Sequence, residues 1–145
     1  MASVPDDYLA AGAAIIERLR QRVPELRDVL TMEDAAQVQE SAVASPVAYV
    51  AYDGDTLGDG VVRGAPQVVT QRWLVVLAVR SARQQRAATH EAAGPLLSKI
   101  IAALAGFAPP PLRRPLRRTT TPRVNYRPGG LTLYPLAWAG EFTTT

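Results

Sequence analysis

The segment from Gln67 to Ser81, QVVTQRWLVVLAVRS, constrains this chain more than any other. One register presents Val69, Gln71, Trp73, Val75, Leu77 and Val79. The other presents Val68, Thr70, Arg72, Leu74, Val76, Ala78 and Arg80. From Trp73 to Val79 both registers are apolar, the pattern of a strand covered on both faces. Strands of globular proteins run to about 5–6 residues. A strand this long has to reach past the core, bend, or pair with another chain, which points toward an assembly protein.

The segments around it supply partners. From about Asp6 to Arg22, the residues Tyr8, Leu9, Ile15, Ile16 and Leu19 recur at helical spacing, continued by Val23. Gly12 falls on the same stripe and adds no apolar surface. Pro5, Asp6 and Asp7 suit a helix start. Leu26, Val29 and Leu30 continue the packing after Pro24, and Thr31 is placed to cap a short helix through Ala36 with Asp34 in a capping-box position. Val47–Tyr52 reads as a strand and Asp53–Gly64 as a turn-rich loop, so the long strand closes a hairpin. A second helix runs from about Arg83 to Ala105, with Ala93, Leu97, Ile100, Ile101 and Leu104 as its stripe. Gly94-Pro95 predicts a break in it, and Gly106 suits its C-cap. A proline- and arginine-rich connector, residues 108–122, has no periodicity. Arg127-Pro128-Gly129-Gly130 fits a turn between strands near Arg123–Tyr126 and Leu131–Phe142, the last marked by Pro135 and Gly140 as bulge or edge positions. The order predicts one α+β domain over residues 1–145. Its mostly antiparallel sheet has about four strands, with two long helices packed on one face.

At 145 residues and 48% hydrophobic, the chain can bury a core of its own. No apolar run approaches a membrane span, and the acidic start does not resemble a secretory signal. The absence of cysteine removes disulfides and thiolate chemistry. Asp53, Asp55, Gly58 and Asp59 fall on calcium-loop positions, but Gly64 stands where a bidentate glutamate is needed. His90 is the single histidine and has no nucleophile at a recognisable spacing, so it reads as a surface residue. No phosphate-binding glycine loop is present. No catalytic, metal or cofactor residues are assigned, and no enzyme is expected.

Charge is unevenly spread. Residues 1–107 hold ten basic and twelve acidic groups, whereas residues 108–145 hold six arginines and one glutamate. Arg113, Arg114, Arg117 and Arg118 are the sharpest electrostatic feature, suited to phosphate or to an acidic protein surface. The prolines among them rule out a basic recognition helix.

The segments together resemble a known family. They comprise P-x-x-Y-V-x-Y (Pro46–Tyr52), Q-x-W-x-V-x-L-x-V-R (Gln71–Arg80), A-L-x-G (Ala103–Gly106) and Y-x-x-G-G-L-x-x-Y-P-L-x-W-x-x-x-F (Tyr126–Phe142). In this order they look like the tail-terminator or tail-completion proteins of tailed phages and prophages, including the Mu-like minor tail family. The resemblance implies a ring of identical subunits, a hexamer, on the head-proximal end of the tail tube. The ring ends tube polymerisation and offers a surface for head joining. The implied partners are further copies of the chain, the tail-tube protein and a head-completion or neck protein, with non-specific contact to DNA in the lumen and none with membrane. The implied location is the virion tail, with host cytoplasm during assembly. Two alternatives stay open: another neck or head–tail connector subunit, and a small basic nucleic-acid-binding protein. Val61, Val62, Arg63, Val68, Thr70 and Arg72 precede the doubly apolar part of the strand and are the candidate ring contacts. Arg113, Arg114, Arg117 and Arg118 are candidates for an acidic neighbour or for DNA.

Overall fold

The long segment folds into a strand, and a second strand of the same chain matches its length. In a computed structural model, which describes residues 4–33, 45–58, 65–81 and 86–144 (side chains of 86 and 87 excepted), the order is α1 (Ala10–Arg22), β1 (Asp28–Thr31), β2 (Val47–Leu57), β3 (Gln67–Arg80), α2 (Arg86–Leu104), β4 (Arg117–Arg118), β5 (Asn125–Tyr126) and β6 (Leu131–Thr144). β3 pairs antiparallel with β6 without a register shift, from Gln67↔Thr144 to Arg80↔Leu131. The surplus length is therefore paired within the chain.

The sheet has six strands rather than about four, and it is mixed. Its order is β1-β2-β3-β6-β4, with β5 also on β6. β1 runs parallel to β2, from Asp28↔Val47 to Thr31↔Val50, and the remaining pairs are antiparallel. Thr31 ends a strand, and the chain turns helical directly after it, at Met32 and Glu33, as the sequence predicts. The strand before it was not expected: Val29 is buried beside β2. Asp34 and Ala36 lie outside the described residues.

Both helices pack on one face, as expected. Ile15 and Leu19 of α1, with Ile100 and Leu104 of α2, cover Trp73, Val75, Leu77, Leu136 and Trp138. The helices also bind one another. Arg18 Nε donates to the Ala103 carbonyl at 2.9 Å, and its guanidinium lies 4.8 Å from the Phe107 ring centroid. α1 begins at Ala10, later than Pro5 and the two aspartates predict. Asp7 serves the lead-in instead, accepting the Leu9 N–H at 3.0 Å. Gly12 earns its place by close approach: a Cβ there would stand 2.8 Å from Cζ3 of Trp73. On the opposite face Val47, Tyr49, Val76, Ala78 and Leu131 form a smaller cluster, which accounts for the doubly apolar stretch of β3.

Three local expectations change. α2 continues through Pro95. Gly94 has no Cβ to clash with the proline ring, and both residues face solvent, where water can satisfy the freed carbonyl. The Asp53 loop starts later than expected, because β2 continues to Leu57 through a bulge between Tyr52 and Asp55, with Gly54 at φ 87°. The connector is also pinned rather than free. Leu112 and Leu116 enter the core. The Arg113 N–H donates to the Glu141 carbonyl at 2.7 Å, and the Thr119 N–H to that of Ala137 at 3.0 Å. A Cβ on Gly140 would overlap the Leu112 methyls.

Those two bonds also place Pro135. Odd-numbered residues of β6 turn their backbone groups to the outer edge, because N–H and C=O of one residue in an antiparallel strand point the same way. The missing N–H of Pro135 is therefore on the outer side, between the stretches covered by β4 and β5, and the β3–β6 ladder loses nothing.

Candidate functional site

The exposed charge gathers on the two edges of the sheet at one level. Register sets that level: Asp55 faces Gln71, Gln71 faces Gly140, and Arg117 faces the adjacent Ala139. Four strands lie side by side there, so the two edges are about 14 Å apart at the usual strand spacing.

The outer edge carries Arg113, Arg114, Arg117 and Arg118, all exposed. Among the described residues the one carboxylate that reaches them is Glu141, 3.9 Å from Arg114 and 3.5 Å from Arg117, while Arg118 Nη2 donates to Thr121 Oγ1 at 3.4 Å. Both ion pairs are long and largely solvated, worth little in energy, so the edge stays strongly basic. Sequence reading overlooked Glu141. As the one acid in an arginine-only third, it had a signal that could have been followed.

At the other edge, the β2 bulge sends its two aspartates to opposite faces. Asp53 accepts from Arg72 Nε at 2.7 Å, while Asp55 accepts from the Tyr8 hydroxyl at the start of α1. They therefore do not converge as calcium ligands would. Burial, then the hydrogen bond to Asp55 and its charge, push the Tyr8 phenol up to about 12. Arg72 is the hub of the face opposite the helices. Beyond Asp53 it donates to Thr119 Oγ1 at 3.2 Å and to the Thr120 carbonyl at 2.8 Å, spanning the sheet across Ala139. A hollow of about 210 Å³ lies here, lined by Asp53, Thr70, Arg72, Arg117 and Thr119 among others.

Of the candidate ring contacts, Val68 is exposed, Thr70 is half-buried, and Arg72 is held by its three partners. Their neighbours on the helix face, Val69 and Gln71, are buried. Val61, Val62 and Arg63 lie outside the described residues. Leu57, at the same end, is 57% exposed.

His90 is exposed, as expected, but it is engaged. Nδ1 lies 2.7 Å from the Tyr134 hydroxyl and Nε2 3.3 Å from that of Tyr126, which ties α2 to the β5–β6 hairpin.

Guanidinium and carboxylate groups on the edges of a small α+β sheet suit the binding of other macromolecules. The model of the family described as "Phage tail terminator protein" matches residues 5–145, and the chain belongs to that family of structural virion proteins. A chain in a solved structure titled "Virion of native gene transfer agent (GTA) particle" shares the fold. Its TM-score is 0.60 at 16% identity, covering 94% of this chain and 99% of that one. No curated protein matches in sequence.

Proposed function

We propose that this protein caps the head-proximal end of the phage tail tube as a ring, a hexamer, and so ends tube polymerisation and presents the surface to which the head joins. The observation that carries this reading is the family match across nearly the whole chain. The fold supports it: two helices and a long-stranded sheet make a rigid block whose edges and distal end remain available for contact. The work is structural, with no catalytic step, cofactor or metal. Partners are further copies of the chain, the tail-tube protein and a neck or head-completion protein. Assembly takes place in host cytoplasm before the ring enters the virion, and DNA crosses its lumen.

Deleting the gene tests this. Negative-stain microscopy of lysates should show tails of uneven, excessive length that are not joined to heads, and supplying the gene in trans should restore uniform joined tails. Tails of normal length and joining in the deletion would end the proposal.

A further inference from the structure

Opposite charge at one level of the sheet fits the sheet of a second copy. We infer that successive copies of this chain meet head to tail, with the Asp55 end of β2 in one copy against the Arg113–Arg118 edge of the next. This rests on the ring reading above and adds to it the surfaces involved.

Four observations favour those edges. First, among the described residues β2 is covered on its outer side only along Val47–Val50, by β1, so the stretch from Ala51 to Leu57 is a sheet edge with no strand beside it. Second, part of β1 is already engaged by side chains. There the Val29 carbonyl accepts from Arg20 Nη2 at 2.9 Å and the Val29 N–H donates to Asp28 Oδ1 at 2.8 Å, which makes β1 a poorer template for a further strand than the stretch from Ala51 to Leu57. Third, the partner held by Asp55 is a neutral phenol, which fixes the carboxylate without cancelling its charge, while on the opposite edge one carboxylate, Glu141, reaches two of four exposed arginines. Fourth, Leu57 and Val68, 57% and 45% exposed, supply apolar surface at the same end. Stable interfaces need such a core inside a charged rim.

The two surfaces are different, so the contact is heterologous. Heterologous contacts propagate in one direction and close into a ring when the rotation allows. An isologous pairing would instead set arginine edge against arginine edge, which like-charge repulsion disfavours. Nucleic acid is the other ligand suited to an arginine edge, but it leaves the acidic, uncovered edge at the same level without a purpose.

The chain has no cysteine, so engineered pairs give a clean readout. Thr56→Cys and Thr120→Cys place one thiol beside each edge and alter none of the charges. The doubly substituted full chain, oxidised at low salt, should give a ladder of disulfide-linked dimers, trimers and higher species ending at a closed ring. Each single substitution should give none beyond trace dimer. Adding Arg117→Glu and Arg118→Glu should cut the ladder by about tenfold or more while leaving the thermal melt of the chain in place, since both arginines are exposed. High salt should do the same. Three results would overturn the inference: no ladder from the double variant, strong dimers from one single variant, or a ladder indifferent to charge reversal. A missing ladder together with tight, salt-sensitive binding of duplex DNA that Arg117→Glu/Arg118→Glu abolishes would reassign the edge to nucleic acid. None of these bears on tail length in the gene deletion, so ring function and ring contacts fail separately.

Discussion

Gln71 offers the most direct test of how the distal end is held. Its side chain is wholly buried in β3, under the start of α1. Nε2 donates to the Tyr8 carbonyl at 2.7 Å, and Oε1 accepts from Trp73 Nε1 at 3.2 Å. The amide orientation is unambiguous, because a carbonyl can only accept and an indole N–H can only donate. Gln71→Met keeps the length of the side chain and removes both bonds. Tyr8 is half-buried, so water can replace the amide at its carbonyl at small cost. Trp73 is only 4% exposed, so its N–H stays dry and unpaired, a loss of about 1–3 kcal/mol. The methionine recovers part of this by burying apolar atoms. The net expectation is a loss of about 2 kcal/mol, or roughly 4–8 °C in Tm for a domain near this size. Urea unfolding followed by tryptophan fluorescence and far-ultraviolet circular dichroism measures it. In a Trp73→Phe background the indole N–H is gone, and the same Gln71→Met change should cost about 1 kcal/mol less. Equal costs in the two backgrounds would refute the bridge as the source of the effect.

Two further expectations follow from the same end of the molecule. Gly12→Ala should destabilise the fold by about 1 kcal/mol net, because the overlap with the Trp73 ring costs about 1–3 kcal/mol against about 1 kcal/mol gained in helix propensity. An Ala variant as stable as wild type would show that the ring has room to shift. The Tyr8 phenol, raised above its ordinary value of 10 to about 12, favours the fold in its neutral form. That contribution is complete below about pH 10 and is lost as pH climbs through about 12. Tyr8→Phe should remove the latest-titrating step from the phenolate ultraviolet absorbance, and an unchanged curve would sink the assignment.

The fold was largely legible because its strongest signals are periodic. The doubly apolar stretch of β3, the stripes of α1 and α2, and the Gly129-Gly130 turn, with both glycines at positive φ, are local patterns that tertiary packing reinforces. The misreadings came where a local rule lost to a distant partner. Val29 and Leu30 read only as continued packing after Pro24, yet they lie in a strand, because β2 offers a parallel pairing edge nineteen residues later in the chain (Val29↔Ala48). Gly94-Pro95 looks like a break, but both residues fall on the solvent face of α2, where a lost hydrogen bond is cheap. Gly12 looked like a flaw in a helix stripe because the Trp73 ring it admits lies three strands further along the sequence.

The candidate surface was legible in amount and not in arrangement. The arginine excess of the last third is plain in composition, and so are the aspartates after Tyr52. Nothing in either segment says that they stand at one height on opposite edges of a single sheet. That follows from three registers acting together, Asp55↔Gln71, Gln71↔Gly140 and Arg117↔Ala139. The order of strands then decides which of them are edges. Composition alone leaves both DNA and protein open as partners of the arginines. Our proposal takes the protein side on geometric grounds, because a phosphate backbone would need only the basic edge, whereas a repeating subunit needs both edges to be complementary and each to be open. The same registers explain why Arg72, an interface candidate on sequence grounds, spends its donors on Asp53, Thr119 and Thr120. By tying the β2 bulge to the residues after β4, it holds the two charged edges at a fixed separation, which is the condition for one copy to present the same contact to the next.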